Sequence, residues 1–173
     1  MEVDYDTHLK PATAIKKNQG EDEALKYLFE LLFSHQWSDY GQLSIFQKMR
    51  GYYKKSNQEN KTKILAELIT LCNKPDNKYK SECYSTIAEI YEIERDDEKS
   101  YLMLSAAVGY MNSEASNYLL AIAQYIERQL VILARKGLNK GDNAFDYLYW
   151  MLSHHLYQIS WYEECIRNGS IVK

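Results

Sequence analysis

Residues 82–125 read ECYSTIAEIYEIERDDEKSYLMLSAAVGYMNSEASNYLLAIAQY, and two sets of residues within them share one spacing. Tyr84, Ile87, Ala88 and Tyr91 return 34 positions later as Tyr118, Ala121, Ile122 and Tyr125. Each set is a large residue, a large–small pair and a Tyr, spaced so that all four share a helix face. Between them lie an acidic turn, Arg95-Asp96-Asp97-Glu98, and a second helical stretch with Ser100, Leu104 and Ala107. Alternating large and small residues lets one helix of a hairpin receive its neighbour closely.

The same periodicity extends outward in both directions. A first helix is expected from about Thr7 to Asn18, with Pro11 tolerated in its first turn. Gly20 breaks it, and Glu21-Asp22-Glu23 opens a second helix, where acids favour the positive end of the helix dipole. Ala24, Leu25, Leu28, Leu31 and Leu32 give that helix one apolar stripe ending near Ser34. After an irregular Gln36–Gly41, a third helix carries Leu43, Ile45, Phe46, Met49, Tyr52 and Tyr53. Ser56-Asn57 turns the chain into a fourth with Ile64, Leu65, Leu68, Ile69 and Cys72, and Asn73–Asn77, containing Pro75, terminates it. Helices five and six are expected at about Lys78–Glu94 and Asp97–Met111. Ser113 is a candidate N-cap for a seventh helix running to Lys136. Gly137 and Gly141 bracket a loop, Asp142 or Asn143 caps a last helix to about Arg167, and Asn168-Gly169 ends it.

The period and pattern of residues 82–125 resemble the tetratricopeptide repeat (TPR/Sel1-like). Ser100 stands where that family usually has Ala, Asn112 where it has Pro, and Tyr84 in place of the common Trp. A fainter echo of a repeat's second helix is Ala24, Leu28 and Leu31. After Tyr125 the family would turn, whereas Ile126–Ala134 reads as continuous helix. The resemblance implies stacked helical hairpins that present a preformed surface to another protein. A plain helical bundle containing one such hairpin is the alternative. Either way the expected fold is all-α, a single domain over residues 1–173 of seven or eight antiparallel helices, with no linker or low-complexity tract.

Composition agrees: 173 residues can bury a substantial core, and 7 Gly with 2 Pro are too few for the turns of an all-β fold. Cys72, Cys83 and Cys165 have no paired spacing and read as small buried side chains in a reducing compartment. No apolar run reaches membrane-spanning length, and Met-Glu-Val-Asp-Tyr-Asp does not open like a secretory signal. A cytoplasmic location is expected. Lys and Arg number 13 against 11 Asp and Glu in residues 1–80, and 8 against 13 in residues 81–173. The first part holds a basic group of Lys48, Arg50, Lys54, Lys55, Lys61 and Lys63, most simply a solvated face.

The last helix is unusual because both its sides are apolar. Phe145, Leu148, Tyr149, Leu152, Leu156, Ile159 and Ile166 form a core stripe, while Tyr147, Trp150, His154, Tyr157 and Trp161 fall opposite, within about 80° of one another. Such a helix is normally sandwiched. Either the chain folds back over the second face, or the face is a surface for a partner or a second copy.

No motif for chemistry is visible. The sequence has no GxxxxGK[ST], GxGxxG or GxSxG, and its adjacent His154 and His155 diverge by about 100° on a helix. Neither a metal site nor a cofactor is expected. The expected function is therefore non-enzymatic protein binding, most specifically an immunity protein or antitoxin that occludes a toxin, such as a nuclease. Candidate contact residues are the aromatic set Tyr147, Trp150, His154, Tyr157 and Trp161, and the acidic set Glu92, Asp96, Asp97 and Glu98, which would steer a basic partner. The alternatives are a secretion chaperone or adaptor gripping an extended peptide, a symmetric homodimer through the aromatic face, and an RNA- or DNA-binding protein using Lys48–Lys63. No membrane partner is expected, and nucleic acid is the less favoured ligand.

Overall fold

The computed structural model describes residues 1–111 and 118–167, together with the side chains of all these residues except 161–163 and 165–167. The chain is all-α: the described residues form eight α-helices and no strand. They are α1 (Lys10–Gln19), α2 (Glu21–Ser34), α3 (Asp39–Tyr53), α4 (Gln58–Cys72), α5 (Lys80–Glu94), α6 (Asp97–Gly109), α7 (Tyr118–Arg135) and α8 (Asn143–Arg167). Two compact units are formed, Met1–Met103 and Leu104–Lys173, and the division falls inside α6. The candidate cap Ser113 and the terminator Asn168-Gly169 lie outside the described residues.

In the first unit, a short π-helical turn, Tyr5–Leu9, leads into α1. Asp4 starts that turn by accepting the Thr7 amide at 2.8 Å, and Pro11 sits in the first turn of α1, where it breaks no ladder bond. Gly20 adopts φ 98°, a conformation natural to glycine, and α2 begins at the next residue. Ser38 and Asn57 cap α3 and α4 by accepting amide hydrogens three residues on, from Gly41 and Asn60. Consecutive helices α1 to α5 pack as helical hairpins, and α3 also packs on α5.

Their shared core contains Leu25, Leu28, Leu43, Ile45, Phe46, Met49, Tyr53, Ile64, Leu68 and Ile87. It closes at its edges through buried polar bonds. The Trp37 indole donates to the Leu31 carbonyl at 2.7 Å. Asn77 donates to the Leu71 carbonyl at 2.9 Å and accepts the Tyr79 amide at 2.8 Å. That single buried Asn satisfies backbone groups on both sides of the Pro75 connection, as buried polar groups require.

Helix α5 ends where Arg95 turns left-handed at φ 60°. The Arg95 amide donates to the Glu92 carbonyl and the Asp96 amide to that of Tyr91, so the terminal carbonyls are satisfied in a Schellman motif. Asp96 then starts α6 by accepting the Lys99 amide at 3.1 Å. Ser100, buried in the first turn, donates to Glu92 across the turn at 3.4 Å, and Met103 packs on the core. Ala88 and Ser100 are fully buried.

In the second unit α7 packs on α8. Ile122, Ala123, Tyr125, Ile126, Leu130, Ile132 and Leu133 are its buried apolar side, and Gln129 within it donates to the Ser105 hydroxyl at 2.7 Å. As expected from residues 126–134, α7 continues past Tyr125 without a hairpin turn. It ends in a second Schellman motif, with Gly137 at φ 83°, Leu138 donating to Leu133 and Gly137 to Ala134.

Candidate functional site

The connection into α8 is short and tightly bonded. Asn139 donates its amide to the Asp142 carboxylate at 2.7 Å, and Gly141, at φ 106°, donates to both oxygens of Asp146 at 3.0 and 3.2 Å. The Asp142 carboxylate thus closes the loop before the helix. Asp146 places negative charge in the first turn, where the helix dipole favours it.

Along α8, Leu148 is buried and Phe145, Met151, Leu152, His155 and Ile159 are half-buried. Tyr149 and Leu156, expected in the core stripe, are exposed at 58% and 50%. Both lie about 100° or less to one side of Leu148, at the edge of the arc that one neighbouring helix covers. Opposite the stripe, Tyr147, Trp150 and Tyr157 are exposed at 62%, 63% and 72%, and His154 is exposed beside them. The Trp161 side chain lies outside the described ones. Within the second unit, α7 leaves these rings uncovered.

The row is ordered internally. The Trp150 and His154 rings stack with centroids 5.6 Å apart and an interplanar angle of 12°. The Gln158 amide nitrogen lies 3.1 Å from His154 Nε2. His155, edge-on to His154, turns inward. Burial, and then the neighbouring His154, pushes its pKa below the ordinary histidine value. Three exposed rings of this size offer roughly 100 Å² or more each. At about 25 cal/mol per Å², covering them would contribute several kcal/mol before the costs of association.

The acidic candidates belong to the first unit, and Glu92 and Asp96 among them hold local partners. Asp96 caps α6 and pairs with Lys99 at 2.7 Å. Glu92 accepts from Ser100, and neighbouring Glu94 accepts the Tyr53 hydroxyl at 2.5 Å. Asp97 is half-buried and Glu98 exposed. The basic group is likewise engaged. Arg50 pairs with Glu89, Lys48 donates to Thr13 at 2.7 Å, Lys61 lies over Tyr53, and Lys63 lies over Phe29 at 4.3 Å.

One feature went unseen in the sequence: a surface groove of about 490 Å³ lined by Asp22, Lys26, Phe29, Glu30, Phe33, Asn60 and Lys63. Its only sequence signal is Phe33, one position past the α2 stripe and 58% exposed. Among the described residues no group of three or more His, Cys, Asp or Glu could hold a metal ion. No described helix is long and apolar enough to cross a membrane. Comparison with family models, curated proteins and solved structures found no match.

Proposed function

We propose that this chain is a non-enzymatic protein-binding module whose contact surface is the outer face of α8. The observation that carries the proposal is the exposure of Tyr147, Trp150 and Tyr157 in one helical row, with His154 stacked into it. Large rigid rings with polar tips lose little conformational entropy on contact and dominate the energetics of protein interfaces. The row also contains no Lys, Arg, Asp or Glu. Leu104–Lys173 holds six Lys and Arg against six Asp and Glu, so an electrostatically steered polyanion has little to recognise there.

The finer reading is a cytoplasmic immunity protein or antitoxin that covers the working surface of a toxin or effector domain. Its hairpins would serve as a tetratricopeptide-like scaffold holding the face rigid. Packed hairpins in the first unit are compatible with such a scaffold. An extended peptide in a groove and a symmetric dimer through the same face are the competing occupants.

The test is affinity capture with the tagged full chain, alongside Trp150→Ser/Tyr157→Ser, with mass spectrometry and nucleic-acid detection on the same eluate. A single stoichiometric foreign protein, lost with the double variant while helicity is retained, supports the proposal. Nucleic acid released by salt with no protein would move the function to the basic group. A dimer of the unmodified chain that becomes monomeric in the variant would make the face a self-association surface.

A further inference from the structure

The surface groove of the first unit lies between α2 and α4, and its chemistry is independent of the α8 row. Lys26, Phe29, Glu30 and Phe33 line it from α2, and Asn60 and Lys63 from α4. Phe29 and Phe33 stand four residues apart and so share one helix face. Phe29 is 6% exposed and Phe33 58%, so the pair runs from the core out to solvent. The two walls are tied at one end through Asp22, which also lines the groove. Its carboxylate accepts the Asn57 amide at 3.3 Å and the Asn60 side-chain amide at 3.0 Å. A volume of about 490 Å³ falls within the span of small-molecule sites.

This groove already holds a cation. The Lys63 ammonium lies 4.3 Å from the centre of the Phe29 ring and 5.5 Å from that of Phe33. Both distances are inside the about 6 Å at which the negative face of a ring attracts a positive charge. Lys63 is itself exposed, so its flexible side chain reaches water by rotation alone, without a shift of α4. With Lys63 turned away, the charged lining is Asp22 and Glu30 against Lys26, a net charge of −1. Rings and charge together then match a single positive group. A primary ammonium is compact and strongly hydrated through its three N–H donors. A quaternary ammonium has no N–H and gives up less hydration against a ring. Exchange of the first for the second therefore runs toward Lys63 in water and the quaternary head on the rings.

We propose that the α2–α4 groove binds a small quaternary ammonium compound, whose head replaces the Lys63 ammonium against Phe29 and Phe33. Asp22 and Glu30 supply the counter-charge. Lys63 is the built-in competitor: it covers the rings when no ligand is present and swings out as the ligand enters. The rings and carboxylates set the selectivity. An uncharged molecule of the same shape gains apolar contact alone, and a primary amine gains nothing over Lys63.

The experiment titrates choline into the full-length chain and follows the aromatic ring protons by NMR. The controls are the uncharged isostere of choline, in which carbon replaces nitrogen, and ethanolamine. Choline is expected to give saturable shifts of Phe signals at concentrations where neither control does. Lys63→Ala should tighten choline binding roughly 2- to 30-fold, the span of one cation–π contact. Phe33→Ala and Glu30→Gln should weaken it, and both positions are exposed, so the fold is kept. Should Phe33→Ala melt early, Lys63→Ala and Glu30→Gln decide the matter by themselves. Absence of saturable shifts with Lys63→Ala, an equal response to the uncharged isostere, or weaker binding by Lys63→Ala would each overturn the proposal. So would shifts confined to the Tyr147, Trp150 and Tyr157 rings, which would place the cation on α8 instead.

Discussion

Tyr53 and Trp150 are both large aromatic residues on long helices, yet Tyr53 is fully buried while Trp150 is 63% exposed. The difference lies in how many neighbours each helix has. In the first unit α3 packs on α2, α4 and α5, and its apolar side is enclosed. In the second unit α8 has α7, which covers one arc and leaves the opposite rings bare. Charge divides in the same way. The first unit carries the chain's whole net charge of −3, with Glu92, Glu94, Asp96, Asp97 and Glu98 grouped around the α5–α6 turn, while the second is neutral. The first unit encloses large rings such as Phe46 and Tyr53, and the second leaves a row of rings on α8 exposed.

The largest effect should come from opening the enclosed core. Phe46→Ala is expected to destabilise the first unit by about 3–5 kcal/mol through a cavity its neighbours cannot fill. Urea unfolding followed by circular dichroism would measure it. A loss under about 1 kcal/mol would mean that the core is loose and the contrast with α8 overstated.

The units should also fail at opposite ends of the pH scale. Burial, then the bond to Glu94, raises the Tyr53 pKa. Its stabilisation is complete below the unfolded value near about 10 and falls above it, by up to about 1.4 kcal/mol per pH unit. His155 has the opposite sign: its lowered pKa means that stability is lost as pH falls below about 6.5, where the unfolded chain binds the proton first. Thermal melts from pH 5 to 11 on Tyr53→Phe and His155→Gln would separate the two. Each variant should flatten only its own limb.

A smaller effect concerns the two matching helix ends. Gly137 fills the left-handed position after α7, but Arg95 fills it after α5. Arg95→Gly should raise the melting temperature by an amount equivalent to about 0.5–1 kcal/mol, relief of left-handed strain outweighing glycine's entropy. A fall would show that the Arg95 side chain contributes more than its backbone costs. The smallest change should follow Trp150→Ser, with stability altered by no more than about 0.5 kcal/mol because the residue is 63% exposed. Chemical unfolding would check it, and a loss of 2 kcal/mol or more would mean that the face is structural.

Helix existence was legible throughout because it rests on local signals. Gly20, Asn57 and Pro75 punctuate the chain, and the α2 bounds, Glu21–Ser34, follow from them directly. The division into two units was not legible, since it falls inside a continuous helix. Sequence placed both faces of α8 but could not say how wide an arc α7 covers, so Tyr149 and Leu156 were misplaced while Tyr147, Trp150, His154 and Tyr157 were grouped correctly. The acidic set was visible as charge, but its ties to Ser100 and Lys99, and that of Glu94 to Tyr53, are set by tertiary packing.

The most direct measurement is photo-crosslinking in the source cell, with benzoylphenylalanine replacing Tyr157 on α8 or, separately, Tyr40 on the first unit. Both positions are exposed, at 72% and 51%. A covalent adduct with one foreign protein at position 157 and none at 40 is the predicted result. Adducts at 40 alone, or at 157 only with a second copy of this chain, would contradict it.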